Sequence, residues 1–248
     1  MPQTPRSRTL ALWSSAFVGA ALTLNAAAAP SCQARSGPGA PPLVIELYTS
    51  EGCNSCPPAD RWLSKLKDRP DVVPLAFHVD YWDRLGWKDR FASPDWTRRQ
   101  YEIAARNASR SVYTPQVVVG GRDHRRWSSL PAPGGPAVVG LSLAREAGGY
   151  VARVRREAGA PARLAGYWAV TEDEHTTQVR AGENHGVTLH HDAVVRELRP
   201  VAEVGEAPLV FTPSAGPDAV SGPRPRQVVF VVTDARTGTP LQALRLGC

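Results

Sequence analysis

Leu43-Val44-Ile45-Glu46-Leu47-Tyr48-Thr49-Ser50-Glu51-Gly52-Cys53-Asn54-Ser55-Cys56-Pro57-Pro58-Ala59-Asp60 decides how this chain folds. Residues 43–48 are apolar apart from Glu46, as expected for a strand covered on both faces. Pro57 and Pro58 suit the first turn of a helix, and Asp60 suits the positive end of its dipole. Ala59, Trp62, Leu63 and Leu66 then recur at helical spacing and form one apolar stripe. Pro70 ends that helix, and residues 72–77 read as a second strand. Its Pro74 predicts an edge position or an irregularity. A strand–helix–strand unit of this kind makes a parallel pair. Cys53 and Cys56 sit at the turn from strand to helix. Two cysteines at this spacing can close a small disulfide ring, bind a metal or exchange disulfides.

Upstream, Arg6 and Arg8 precede an apolar stretch, residues 10–24, and then Asn25-Ala26-Ala27-Ala28-Ala29. This is the layout of a signal peptide, residues 1–29, with cleavage expected near Ala28 or Ala29. The apolar stretch is short for a membrane span and contains Ser14 and Ser15. The expected location is therefore periplasmic or extracellular, with no stable membrane span after cleavage. The formal charge is +6, and loss of Arg6 and Arg8 lowers it by two to +4. That balance does not suggest a nucleic-acid binder. A hydrophobic fraction of 42% is enough for a buried core.

All four cysteines, Cys32, Cys53, Cys56 and Cys248, lie beyond the cleavage point, where export lets disulfides persist. The simplest pairing joins Cys32 to Cys248 and leaves the CxxC as its own pair. A loop that long is worth roughly 5 kcal/mol by chain entropy. Lipid attachment at Cys32 is the alternative, although Ala29-Pro30-Ser31 lacks the usual Leu.

Residues 33–42 read as a Gly/Pro-rich loop, and residues 80–91 as an aromatic-rich loop. Ser93-Pro94 opens a helix of about a dozen residues. Residues 112–119 lead through Pro115 into a strand, and Gly120-Gly121 marks a hairpin turn with a return over 122–129. After the Pro-rich residues 131–136 a helix is expected near 137–147, ended by Gly148-Gly149. Beyond residue 150 short alternating runs at 164–171, 176–180, 187–190, 193–198, 209–212, 227–232 and 241–246 predict an antiparallel β module. The expected division is residues 30–150 as an α/β domain and residues 151–248 as the β-rich module.

Strand, CxxC and helix in this order form the context of thioredoxin-like redox sites. A helix N-terminus favours a thiolate, so Cys53 is the expected nucleophile, nearer solvent, and Cys56 the resolving thiol. Glu51 and the tandem prolines oppose strong thiolate stabilisation. Thr114-Pro115 is the candidate cis-Pro element, since only X–Pro bonds adopt cis cheaply. In thioredoxin folds such a loop faces the CxxC and offers backbone to substrate. The loop after the second strand should share a sheet edge with the cysteines. His78, Asp80, Tyr81 and Trp82 are therefore candidates to line a groove, with His78 or Asp80 relaying protons; packing is the expectation for Trp87 and Trp96.

The chain resembles the exported, thioredoxin-like family catalogued as domain of unknown function 1223. The matching stretches are residues 46–60, His78-Val79-Asp80-Tyr81-Trp82-Asp83, Leu85-Gly86-Trp87-Lys88-Asp89, Tyr113-Thr114-Pro115-Gln116 and Gly182-Glu183-Asn184-His185-Gly186. The resemblance implies a thioredoxin-like domain followed by a β-rich part; it implies no activity.

The expected function is an exported thiol–disulfide oxidoreductase acting on protein or small-molecule thiols and disulfides, without a cofactor. One alternative is a non-enzymatic envelope binding protein whose CxxC disulfide is structural. A weaker one is copper or zinc handling. His185, His190 and His191 with Glu183 form a histidine-rich stretch, but it reads as strand surface and turn, so no metal is assigned.

Overall fold

The computed structural model describes Met1 and residues 32–132, 134–214 and 224–248. The expected signal peptide otherwise lies outside the described residues. In chain order the elements are β1 (Gln33–Arg35), β2 (Leu43–Thr49), α1 (Pro57–Ser64), β3 (Val72–His78), α2 (Pro94–Arg106), β4 (Gln116–Val119) and β5 (Arg122–Asp123). They continue as β6 (Val139–Glu146), β7 (Gly149–Arg156), β8 (Leu164–Glu172), β9 (His175–Gln178), β10 (Thr188–His191), β11 (Val194–Val201), β12 (Leu209–Phe211), β13 (Arg226–Asp234) and β14 (Pro240–Leu246). The protein is mostly β-sheet with few helices.

An eight-stranded sheet runs β14-β13-β8-β11-β3-β2-β4-β5. Its β2–β3 and β3–β11 pairs are parallel, and its other pairs are antiparallel. Side chains alternate across the sheet because the strand repeat is two residues. Ile45, Leu47, Val72 and Ala76 meet Ala59 and Leu63 of α1 on one face. Val44, Tyr48, Val73, Leu75 and Phe77 meet Trp96 and Ile103 of α2 on the other. α2 starts as the sequence indicates: Ser93 caps it by accepting from the Asp95 N–H at 3.2 Å.

A four-stranded sheet, β1-β6-β7-β12, encloses a second core with the distal half of the large sheet. Leu141, Leu143 and Phe211 pack there with Trp168 and Phe230. A hairpin of β9 and β10 lies against α1.

Three expectations on local structure are corrected, and the alternative posed by Pro74 is resolved. Residues 137–147 are not helical: Val139, Leu141 and Leu143 alternate inward, so β6 forms and turns into β7 at residues 147–148. Gly149 is required there, because a Cβ would stand 2.5 Å from the Phe211 carbonyl oxygen at φ +134°. Residues 33–35 are a strand within the expected loop, paired with β6. The return after Gly120-Gly121 is two residues long. Pro74 is not on an edge, since β3 lies between β2 and β11. The irregularity it predicts is present. Ala76 donates toward β11, to Ala193 O, and Pro74, two residues earlier, would face the same side but has no N–H. The β3–β11 pairing is confined to Ala76 and Val194.

Residues 32–248 form one compact unit. Position 150, the expected boundary, falls in the β6–β7 hairpin, and β8, β11, β13 and β14 complete the sheet that holds β2 and β3.

Candidate functional site around Cys53 and Cys56

β2 ends at Thr49, and residues 50–56 turn into α1. Cys53 N–H donates to Ser50 O and Cys56 N–H to Cys53 O, each at 3.2 Å. Cys56 is the N-cap of α1, and its carbonyl accepts from Ala59 and Asp60. The Cys53–Cys56 pair forms a disulfide, and Cys32 and Cys248 form the second. The terminal pairing is therefore as the cysteine count indicates. Cys53 is not nearer solvent: both Cys53 and Cys56 are 0% exposed.

The Thr114–Pro115 peptide is cis and stands beside this turn. Thr114 Oγ1 donates to Cys53 Sγ at 3.3 Å, and Ser55 Oγ lies 3.3 Å from the same sulfur. Trp82 Nε1 donates to Thr114 Oγ1 at 2.8 Å. An indole N–H only donates, so Thr114 must accept there, which leaves its own proton for the sulfur. Behind this contact, Gln100 Nε2 donates to Tyr113 O and to Gln116 Oε1, both at 2.9 Å, and so fixes the chain on either side of residue 114.

The other candidates are placed differently. Tyr81 donates to Gln100 Oε1 at 3.3 Å, its ring beside Trp82, and burial pushes its pKa up. Asp80 faces α2: its Oδ1 accepts from Thr97 Oγ1 at 2.6 Å. The contacts of the Asp80 side chain therefore lie with α2 and not with the cysteines. His78 is 1% exposed and bonds Asp89 Oδ2 through Nδ1 at 2.7 Å. Burial lowers the His78 pKa, but the charges of Asp89, Asp60 and Glu51 outweigh it and the net direction is up. Asp89 moves down for the reciprocal reason, its own burial being outweighed by His78.

Several residues here have partners that the sequence did not indicate. Glu51 is fully buried, and its Oε2 accepts from Trp87 Nε1 at 2.8 Å. Trp87 thus holds the cysteine turn as well as packing. Glu51 N–H donates to Asp89 Oδ2 at 2.9 Å. Asp60 accepts from Thr49 Oγ1 at 3.0 Å, and burial raises its pKa against the charges of His191 and His78. Asn184 is buried and gives both amide protons to this turn, to Glu51 O at 2.8 Å and Cys53 O at 3.0 Å. No local pattern marks these contacts, because long-range pairing brings the partners together.

The histidine-rich stretch divides between the faces of β10. His190 is exposed and contacts Thr176 Oγ1 at 3.2 Å, whereas His191 is buried with its ring beside His78. Among the described residues no three His, Cys, Asp or Glu side chains are grouped so that they could hold a metal.

A crystal structure of an Agrobacterium tumefaciens protein is similar to this chain, with 26% identity and a TM-score of 0.59, covering 82% of this chain and 93% of that one. HBP35 of Porphyromonas gingivalis is similar in fold alone, with 14% identity and a TM-score of 0.53, covering 86% of this chain and 76% of that one. No curated protein matches. The family model described as "Protein of unknown function (DUF1223)" matches residues 44–232, from the strand before the cysteines almost to the end of β13. That span covers most of the chain and every residue of the site described above, so the protein belongs to the DUF1223 family.

Proposed function

We propose that this protein is an exported thiol–disulfide oxidoreductase with a thioredoxin-like site, cycling Cys53 and Cys56. The contact from Thr114 to Cys53 Sγ carries this reading, because it joins the CxxC to a cis-Pro element 61 residues away. A hydroxyl aimed at sulfur favours the thiolate, which is the reactive form. In the reducing direction, Cys53 thiolate attacks a substrate disulfide, forms a mixed disulfide and releases one substrate thiolate, which takes up a proton. Cys56 then attacks Cys53, releases the second substrate thiol and restores the protein disulfide. Two electrons pass to the substrate, and the reverse sequence oxidises a dithiol. Substrate backbone would dock at Thr114–Pro115, beside Tyr81 and Trp82. The two disulfides favour an oxidising compartment. Because Cys53 is fully covered, exchange requires the turn to open.

Cys53→Ser is expected to abolish exchange with a model disulfide, and Cys56→Ser to accumulate mixed disulfides. Wild-type exchange no faster than that of free thiols contradicts the reading. A second reading, a binding protein with a structural CxxC disulfide, is favoured by the complete burial of both cysteines. It expects a pair that stays oxidised in the glutathione range, below about −300 mV.

A further inference from the structure

The loop between β9 and β10 reaches the cysteine turn with two side chains that the exchange steps do not use. Asn184 grips Glu51 O and Cys53 O, at 2.8 and 3.0 Å. Its neighbour Glu183 is exposed, and its Oε2 accepts from Asn54 N–H at 3.2 Å. We infer that this loop restrains the reactivity of Cys53, with Glu183 as the restraining carboxylate and Asn184 as the positioning residue that holds it in place. This rests on the redox reading of the pair.

A thiolate at the start of a helix is stabilised by backbone N–H groups that have no other acceptor. This turn is short of them. Pro57 and Pro58 supply none at the first two helical positions. Glu51 N–H goes to Asp89, Gly52 N–H to Ser50 Oγ, Cys53 N–H to Ser50 O and Cys56 N–H to Cys53 O. Asn54 N–H directly follows the nucleophile, and Glu183 takes it. Glu183 thus occupies a donor that would serve the Cys53 thiolate and sets a negative charge beside it. The hydroxyls of Thr114 and Ser55 are left as donors at the sulfur, and Ser55 N–H is a backbone donor of the turn with no acceptor among the described residues. Glu183 is 129 residues from Asn54 in sequence, so the β9–β10 hairpin ties the C-terminal part of the chain to the chemistry of the N-terminal part.

The test is the pH profile of alkylation of the reduced protein by iodoacetamide, followed at Cys53 by mass spectrometry, for wild type, Glu183→Gln, Asn184→Ala and the double variant. Thermal unfolding confirms that each is folded. Glu183→Gln is expected to move the profile to lower pH and raise the rate at neutral pH by about two- to five-fold, the size of an exposed charge interaction. Added salt should shrink that gain. In the Asn184→Ala background Glu183→Gln should add nothing, because the carboxylate is no longer held against Asn54. If Asn184→Ala is unfolded, the salt dependence of the Glu183→Gln effect decides alone. A profile unchanged by Glu183→Gln overturns the inference, as does an effect of equal size in the Asn184→Ala background. Alkylation needs no substrate disulfide, so a wild type that fails to exchange overturns the redox reading and leaves this result legible.

Discussion

Glu46 and Glu51 stand five residues apart, both buried, and the protein treats them in opposite ways. The Glu46 carboxylate accepts from Arg99 Nη2 at 2.6 Å and Nε at 3.1 Å, from Tyr48 Oη at 2.7 Å and from Tyr167 Oη at 3.2 Å. Burial alone would raise its pKa, but the Arg99 charge and these bonds take it below the usual value. Glu51 has the Trp87 indole on one oxygen, whereas Oε1 makes no hydrogen bond among the described residues and lies 3.4 Å from His191 Nε2. His78 Nε2 and His191 Nδ1 are also buried without a hydrogen bond among the described residues. A buried carboxylate with a full set of donors fixes structure. Buried polar atoms without partners cost stability and concentrate at working sites. The saturated cluster lies between the sheet and α2, and the unsaturated one adjoins the cysteine turn.

Removing a partner from the saturated cluster should do the most damage. Arg99→Met leaves Glu46 buried and uncompensated, and should lower the unfolding free energy by about 3–5 kcal/mol in urea titrations. The double change with Glu46→Leu should recover much of that loss. A loss below ~1 kcal/mol for Arg99→Met alone would erase the distinction between the clusters.

On the unsaturated side two histidines, His175 and His78, tie stability to pH. The His175 ring packs on Phe91, which also contacts His78 and His191. Burial, followed by the charges of Arg224, Arg90 and Arg196, lowers the His175 pKa to about 3. The folded state thus disfavours protonated His175. Its contribution is complete above the unfolded value near 6.5 and is lost as pH falls toward 3, at up to ~1.4 kcal/mol per pH unit. His78 runs the other way: its raised pKa gives stability that is complete below about 6.5 and is lost as pH rises through the folded value. Urea midpoints across this range should fall on the acid side for wild type and flatten there for His175→Gln. An unaltered acid slope in that variant rejects the assignment.

Glu51→Gln should have the smallest effect. The amide oxygen can still accept from Trp87, and one oxygen is already without a bond, so the cost should stay under ~2 kcal/mol. A loss equal to that of Arg99→Met would mean that Glu51 is as structural as Glu46.

Local chemistry made part of this legible. Strand, CxxC and helix follow from burial pattern and proline placement, the second helix from Ser93-Pro94, and the terminal disulfide from the cysteine count. Residues 137–147 satisfy two periods at once. Ala137, Leu141 and Ala144 fall at helical spacing, whereas Val139, Leu141 and Leu143 alternate, and pairing with β1 and β7 selects the strand. Asn184 and His191 carry no local mark of their roles; the fold of the β9–β10 hairpin onto the cysteine turn creates them. Asp80 shows the reverse. It lies in the expected loop, but Thr97 of α2 takes its carboxylate.

On the proposed function, Cys53 and Cys56 cycle between disulfide and dithiol. Their reduction potential, measured against glutathione buffers by mass spectrometry of alkylated thiols, tests it most directly. A value between about −270 and −120 mV, the span of known exchange proteins, is the expected result. A pair that stays oxidised below about −300 mV would contradict the account and make this disulfide as structural as Cys32–Cys248.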